Sequence, residues 1–215
     1  MPDATDLMRA KEALIYELIK EGVLKREDII EAFRKVPRED FVLADYIDQA
    51  YDNYPLPIGE GQTISQPLTV AFMTEALDPK KGQKILEVGA GSGYQAAIVA
   101  EIVGKKGKII TTERIQKLAD MAKANLIKAG YSNVEVVLYD GSTGYEKEAP
   151  YDRIIVTASA PSIPNSLVKQ LKKGGKLVIT VGDEMFLIEK TDKIKKTFLG
   201  YYVFVPLIGR EGHNR

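Results

Sequence analysis

The sequence of these 215 residues predicts an α/β fold, a doubly wound and mostly parallel sheet with helices on both faces, on three observations. Five short runs rich in Ile and Val alternate with helical segments from Lys84 onward. The first run leads straight into a glycine-rich loop and a helix, the arrangement that open α/β sheets use to hold nucleotides. The composition, 45% hydrophobic with balanced charge, suits a core of ordinary size.

The elements follow in order. Leu7, Leu14, Ile15, Leu18 and Ile19 make one apolar helical stripe, which Gly22 closes. A second stripe, Ile29, Ile30, Phe33 and Val36, stops at Pro37. Residues 45–64 are rich in Pro, Gly and Tyr and read as an ordered loop. Ser65-Gln66-Pro67 then looks like a helix start, with Ser65 as N-cap and Pro67 in the first turn. The apolar face of that helix is Val70, Met73 and Leu77, and it ends at Asp78-Pro79. KILEVGA, KIITTE, VEVVLYD, DRIIVTA and KLVITVG suit strands buried on both faces. Segments 94–103, 114–129 and 164–173 suit the helices between them. The tail 185–209 holds two further strand-like pieces, around MFLIE and FLGYYVFVPLI, joined by a charged turn too short for a crossover. That predicts an antiparallel C-terminal edge. The expectation is a seven-stranded, Rossmann-like sheet in one domain, 1–215. Residues 1–79 would give N-terminal helices and a substrate and cofactor loop, and residues 80–215 the α/β core.

Composition removes whole classes of chemistry. Zero cysteines exclude disulfides, iron–sulfur clusters, thiolate zinc and cysteine nucleophiles. The single histidine, His213, leaves no histidine triad and no multi-histidine metal site, so no metal is expected. Thirty Lys+Arg balance thirty Asp+Glu, and no basic field suggests nucleic acid or a membrane surface. No apolar run approaches the ~20 residues of a membrane span, and MPDATDLMRA does not read as a signal peptide. A soluble, cytoplasmic protein is expected, with chemistry carried by backbone, hydroxyls, carboxylates or a bound cofactor.

The loop after the first strand narrows that choice. It reads Glu87-Val88-Gly89-Ala90-Gly91-Ser92-Gly93. Glycines there let a ligand approach the backbone closely, although a tight turn alone would also use them. No Gly-Lys pair is followed by Ser or Thr, so this is not a Walker loop. The dinucleotide fingerprint would need glycine where Tyr94 stands. Glu87, two residues before the first glycine, is awkward for a pyrophosphate and suits a ligand bearing an ammonium or sulfonium. Glu113 ends the next strand, where an acid can accept both ribose hydroxyls. Asp140 ends the third, followed by Gly141, and could accept from an exocyclic adenine amine. Singly, such acids are often caps or turn formers. Three at successive strand ends point to S-adenosylmethionine.

EVGAGSG with its acidic strand ends resembles class I methyltransferases in general. GEGQTISQP before it, DGSTGYEKEAPYDRIIVTASAPSIP after it and VFVPLIG near the end are more specific. In that order they resemble the protein-L-isoaspartate O-methyltransferase family, over nearly the whole chain from about residue 30. The resemblance implies methyl transfer from S-adenosyl-L-methionine, leaving S-adenosyl-L-homocysteine. The acceptor would be the free carboxyl of L-isoaspartyl, and less well D-aspartyl, residues in damaged proteins and peptides. It implies that Ser65, in the TIS motif, is the active-site serine, with Thr63 and Ile64 against cofactor and substrate. Gly89, Gly91, Ser92 and Gly93 match the family's glycine loop, Glu113 its ribose acid, and Asp140-Gly141 its adenine-side pair. Val205, Pro206 and Leu207 match a segment near the acceptor peptide. The family's sheet has an unusual edge-strand order, so a generic methyltransferase order is not expected for 185–209.

The shortage of histidine fits such a reaction. A carboxylate with a reference pKa near ~4 is already ionised at neutral pH and needs no general base. Ser65 then reads as a hydrogen-bond donor to the acceptor, or as the N-cap of its helix; the sequence leaves both open. Tyr51, Tyr54, Tyr201 and Tyr202 read as partly buried aromatics or as the lining of a peptide groove. Two rivals stand beside this reading. One is a class I methyltransferase acting on a small molecule or RNA; the other is a non-catalytic S-adenosylmethionine-binding module. A monomer is expected, with isoaspartyl proteins and peptides as its partners.

Overall fold

The computed structural model describes residues 3–214. Helix α1 (Ala4–Lys20) starts on Asp3, whose carboxylate accepts the amides of Thr5 and Asp6 at 2.7 and 2.9 Å. It buries Leu14, Ile15 and Leu18, while Ile19 lies at the margin of the stripe, 38% exposed. Helix α2 (Glu27–Lys35) buries Ile29, Ile30 and Phe33 and ends ahead of Pro37. The stretch 45–64 is more regular than a loop. A 3₁₀ turn at Ala44–Gln49 is followed by a hairpin of β1 (Leu56–Gly59) and β2 (Gln62–Ile64). Leu56, Ile58 and Ile64 point inward, but strands this short carry too little alternation to outweigh their Pro and Gly content.

Helix α3 (Pro67–Leu77) corrects one expectation. Its N-cap is Gln66, not Ser65, because Pro67 takes the first helical position and holds the residue before it extended. The cap side chain makes no capping bond. Asn53 serves instead: its side-chain oxygen accepts the Leu68 amide at 3.0 Å, and its carbonyl accepts Gln66 Nε2 at 2.8 Å.

The main sheet has seven strands in the order β5-β4-β3-β6-β7-β8-β9. Parallel strands β3 (Lys84–Val88), β4 (Lys108–Glu113), β5 (Val134–Leu138), β6 (Tyr151–Ala160) and β7 (Leu171–Val181) form its body. Strands β8 (Glu184–Lys190) and β9 (Ile194–Tyr201) close it antiparallel. Helices α4 (Tyr94–Val103), α5 (Gln116–Lys128) and α6 (Asn165–Gln170) connect the parallel strands. The chain reverses direction across the sheet between β3 and β6, which opens a crevice at their carboxyl ends. Residues of α1 to α5 build the larger apolar cluster on one face; α6 and the C-terminal tail cover the other.

Three details differ from the expectation. β5 is a sheet edge and only half-buried, so its Val-rich sequence marks strand propensity rather than burial on both faces. α6 is a single short piece, and residues 171–173 already belong to β7. The second tail piece divides: β9 ends at Tyr201, and the chain then turns back over the sheet end. There the Ser159 amide donates to the Val205 carbonyl at 2.8 Å and the Leu207 amide to the Ser159 carbonyl at 2.7 Å. Among the described residues no helix is long and apolar enough to cross a membrane.

Candidate active site

The crevice between β3 and β6 widens into a cleft of about 150 Å³ that is partly open to solvent. Its floor is the glycine loop with the ends of β3, β4 and β6. Its walls draw on distant parts of the chain, Gln62–Ser65 with Val70, and Val205–Ile208. Of the residues expected at the site, Thr63, Ile64, Ser65, Glu87, Gly89, Gly91, Ser92, Gly141, Val205, Pro206 and Leu207 line this cleft, as does Glu113.

The glycine loop is glycine for steric reasons at two positions in particular. Gly89 has φ +99°, and a β-carbon there would collide with Thr157 Oγ1. Gly93, the residue that starts α4, has φ +90°, and a β-carbon there would lie 3.1 Å from Leu126 Cγ. Gly93 therefore shapes the loop from behind and does not itself line the cleft. Ser92 is buried, and its carbonyl accepts Asn125 Nδ2 at 3.0 Å, tying the loop to α5.

Glu87 is 1% exposed. Its Oε2 accepts the Thr111 hydroxyl at 2.5 Å, whereas Oε1 is buried with no partner among the described residues. Burial pushes its carboxyl up to about 8; the Thr111 hydrogen bond opposes this, and the nearby Glu113 charge adds to it. An unmatched, buried acceptor in a cleft wall is a demand for a donor, and a cation meets it best.

Glu113 is committed to the loop as well as to the cleft. Oε2 accepts the Gly91 amide at 3.1 Å, and Oε1 accepts the amides of Arg114 and Ile115 at 2.8 and 3.0 Å. A carboxylate has about four lone-pair sites, so with three amides accepted about one site remains for a hydroxyl in the cleft.

Asp140 departs from the expectation: its carboxylate is not part of the cleft lining. Oδ1 accepts the amide and hydroxyl of Ser142 at 3.0 and 2.7 Å, and Oδ2 accepts the Arg210 amide at 2.8 Å. Burial raises its pKa, but these bonds outweigh burial and hold it below the ordinary value. Asp140 thus caps a 3₁₀ turn and fastens the C-terminal tail, and only its neighbours Tyr139 and Gly141 reach the cleft.

Several lining residues escaped the sequence reading. Thr157, near the end of β6, donates to the carbonyls of Val88 and Gly89 at 3.1 and 2.8 Å and so props the loop. Ile115, Leu118 and Tyr139 give an apolar patch beside Glu113. Position close to a strand end is the available signal for Thr157 and Tyr139; Leu118, inside α5, has none.

The lining therefore offers a lone buried carboxylate oxygen, backbone groups of a glycine loop, a strand-end carboxylate and an apolar slot. These match an ammonium, a diol and a flat ring carried by one ligand, and S-adenosylmethionine has all three. Among the described residues no cluster of His, Asp or Glu could hold a metal ion.

The comparisons with known proteins agree with this geometry. The chain is 55% identical over 211 residues to a protein-L-isoaspartate O-methyltransferase of Methanopyrus kandleri, covering 95% of this chain and 93% of that protein. It is 51% identical to a protein of the same name from Methanococcus aeolicus, covering 96% and 98%. A solved protein-L-isoaspartate O-methyltransferase superposes with a TM-score of 0.86 at 32% identity, covering 94% of this chain and 67% of that one. A Plasmodium falciparum structure, described as a beta-aspartate methyltransferase in complex with S-adenosyl-L-homocysteine, gives 0.80 at 26% identity, covering 90% and 95%. The family model for protein-L-isoaspartate(D-aspartate) O-methyltransferases matches residues 8–212, and the chain belongs to that family.

Proposed function

We propose that this enzyme methylates the free carboxyl of L-isoaspartyl, and less readily D-aspartyl, residues in damaged proteins and peptides, within the cleft between β3 and β6. The observation that carries the proposal is the meeting of two residue sets in that cleft. Glu87, the glycine loop and Glu113 form one; Thr63–Ser65 and Val205–Leu207 form the other. When bound, S-adenosylmethionine supplies a methyl group on a sulfonium, which an ionised carboxylate accepts directly, leaving S-adenosylhomocysteine. Glu87 holds the cofactor's ammonium, and Glu113 accepts from the cofactor's ribose at the site that its three amide partners leave open. Gly89, Gly91 and Ser92 present backbone to the cofactor, Gly141 lines its slot, and Gly93 shapes the loop from behind. Thr63 and Ile64 separate the two ligands. Ser65, freed from capping duty, donates to the acceptor carboxylate and fixes its direction. Val205, Pro206 and Leu207 seat the acceptor backbone. Orientation of this kind is worth roughly 7–11 kcal/mol at best, and no general base is needed.

The same reading treats residues 1–215 as one catalytic domain, working as a cytoplasmic monomer on polypeptides, without nucleic-acid or membrane partners and without a metal. Balanced charge supports that choice of partner. Radiolabelled methyl transfer to matched isoaspartyl and aspartyl peptides tests it. Label should enter the isoaspartyl peptide and leave as methanol in mild alkali. Equal labelling of both peptides, or an alkali-stable product, would point to another acceptor.

A further inference from the structure

The chain between the sheet edge and the cleft carries an exposed apolar surface that the reaction leaves unused. Among the described residues β9 is the outermost strand and pairs only with β8. Phe198 is 48% exposed, Tyr201 69%, and Val203 just beyond β9 is 95%. The Phe198 ring meets Tyr201 at 5.2 Å and Phe186 at 6.0 Å, edge to face, so these aromatics form one patch. Phe186 belongs to the same apolar cluster as Leu207, with Val205 packed against it. Those last two residues are the cleft wall assigned to the acceptor. β9 also runs parallel to β6, since two antiparallel pairings separate it from β7. Tyr201 and Val203 therefore lie at the end of the sheet where the cleft opens.

We infer that this edge is a docking shelf for the acceptor polypeptide, on which apolar residues flanking the damaged position rest against Phe198, Tyr201 and Val203. The inference rests on the isoaspartyl reading above. The occupant is the acceptor chain because residues 202–207 join the shelf to the cleft wall without a break. Three inter-strand spacings of about 4.8 Å separate β6 from β9, roughly 14 Å, which an extended chain crosses in about four residues. The free edge of β9 has backbone groups for such a chain to pair with, as in strand addition.

Isoaspartyl peptides of two lengths test this, with flanks that stop short of the shelf or reach it, the latter carrying either Leu-Tyr or Ser-Ser about four residues from the acceptor. The Leu-Tyr peptide should have a KM about three- to tenfold below the Ser-Ser peptide at similar kcat, on either the N- or the C-terminal side. In the Tyr201→Ser/Val203→Ser variant that ratio should fall to about one. A ratio near one in the unaltered enzyme, or a ratio preserved in the variant, overturns the shelf. So does a change in oligomeric state of the variant, which would make this face a contact between copies. A benzophenone placed at the same flanking position gives a reading without any variant: crosslinks should fall within 198–203, and crosslinks elsewhere overturn the proposal. The short peptides report on the acceptor assignment alone, so their failure to be methylated defeats that reading and the shelf with it.

Discussion

The two sides of the cleft are built in different ways. The cofactor side is made of consecutive strand ends and the turns that leave them, all held by a sheet whose central strands are buried. The proposed acceptor side joins a short hairpin near residue 60, outside the main sheet, to a tail near residue 206 that touches the sheet at the Ser159–Pro206 bridge. One side is positioned by parallel pairing. The other is positioned by a few long-range hydrogen bonds: Ser159 with Val205 and Leu207, and Asp140 with Arg210. Damage to the first side should therefore weaken cofactor binding, and damage to the second should change the acceptor reaction while the cofactor still binds.

The largest test of that division is Glu113→Ala. It removes the acceptor for the Gly91, Arg114 and Ile115 amides as well as the proposed ribose contact. S-adenosylhomocysteine affinity should fall by about 2–3 kcal/mol, the scale of hydrogen bonds to a charged group. Calorimetry on a folded variant with undiminished affinity would remove Glu113 from the cofactor side. Ser65→Ala comes next. It should lower kcat about tenfold or more and leave cofactor affinity and melting temperature close to unchanged, because Gln66 occupies the cap. A stability loss near 1 kcal/mol with full turnover would return Ser65 to a structural role.

Asp140→Ala asks whether a residue at a cofactor-side strand end in fact serves the acceptor side. Its three hydrogen bonds all go to the turn and the tail, so acceptor KM should rise several-fold, with stability lower by about 1–2 kcal/mol and little change in cofactor affinity. Loss of cofactor affinity with an unchanged acceptor KM would reverse that assignment.

A remaining test is read in pH. The folded Glu87 carboxyl is held at about 8, against an ordinary value of 4.5. A folded value raised in this way gives stability that is complete below the ordinary value and lost as pH climbs through about 8. Glu87→Gln lacks the titration. Relative to the unaltered protein it should gain on the order of 1–3 kcal/mol between pH 5 and pH 9, measured by urea unfolding of the ligand-free forms. The cationic cofactor favours the ionised carboxylate, so its binding at pH 7 should release up to about one proton, and Glu87→Gln should release none. Identical proton release by the two proteins would take the ammonium away from Glu87.

What could be read in the sequence follows the same division. Strands β3, β4, β6 and β7 announced themselves through Ile and Val, and the glycine loop through its place between strand and helix. Local pattern suffices for such features because the sheet itself places them. Asp140 shows the limit. A strand-end acid suits a ligand or a local cap equally well, and its partner Arg210 lies 70 residues away. Local sequence places the cap of α3 one residue early because its working partner is Asn53, 15 residues upstream of Leu68. The hairpin leaves no legible pattern because four- and three-residue strands are too short to show sustained alternation.

The pairing of β3 with β6 also governs the order in which the molecule can assemble. The Lys84 amide reaches Asp152 across 68 residues, and the cleft floor does not exist until that long loop closes. α1 and α2, neighbours in sequence, can dock early at small entropic expense, but the crevice must wait for a slow, non-local encounter. A refolding chain should acquire helix content well before it recovers the ability to bind S-adenosylhomocysteine. Competence to bind is thus a late event in folding, and ligand added during refolding selects the finished sheet rather than guiding its formation.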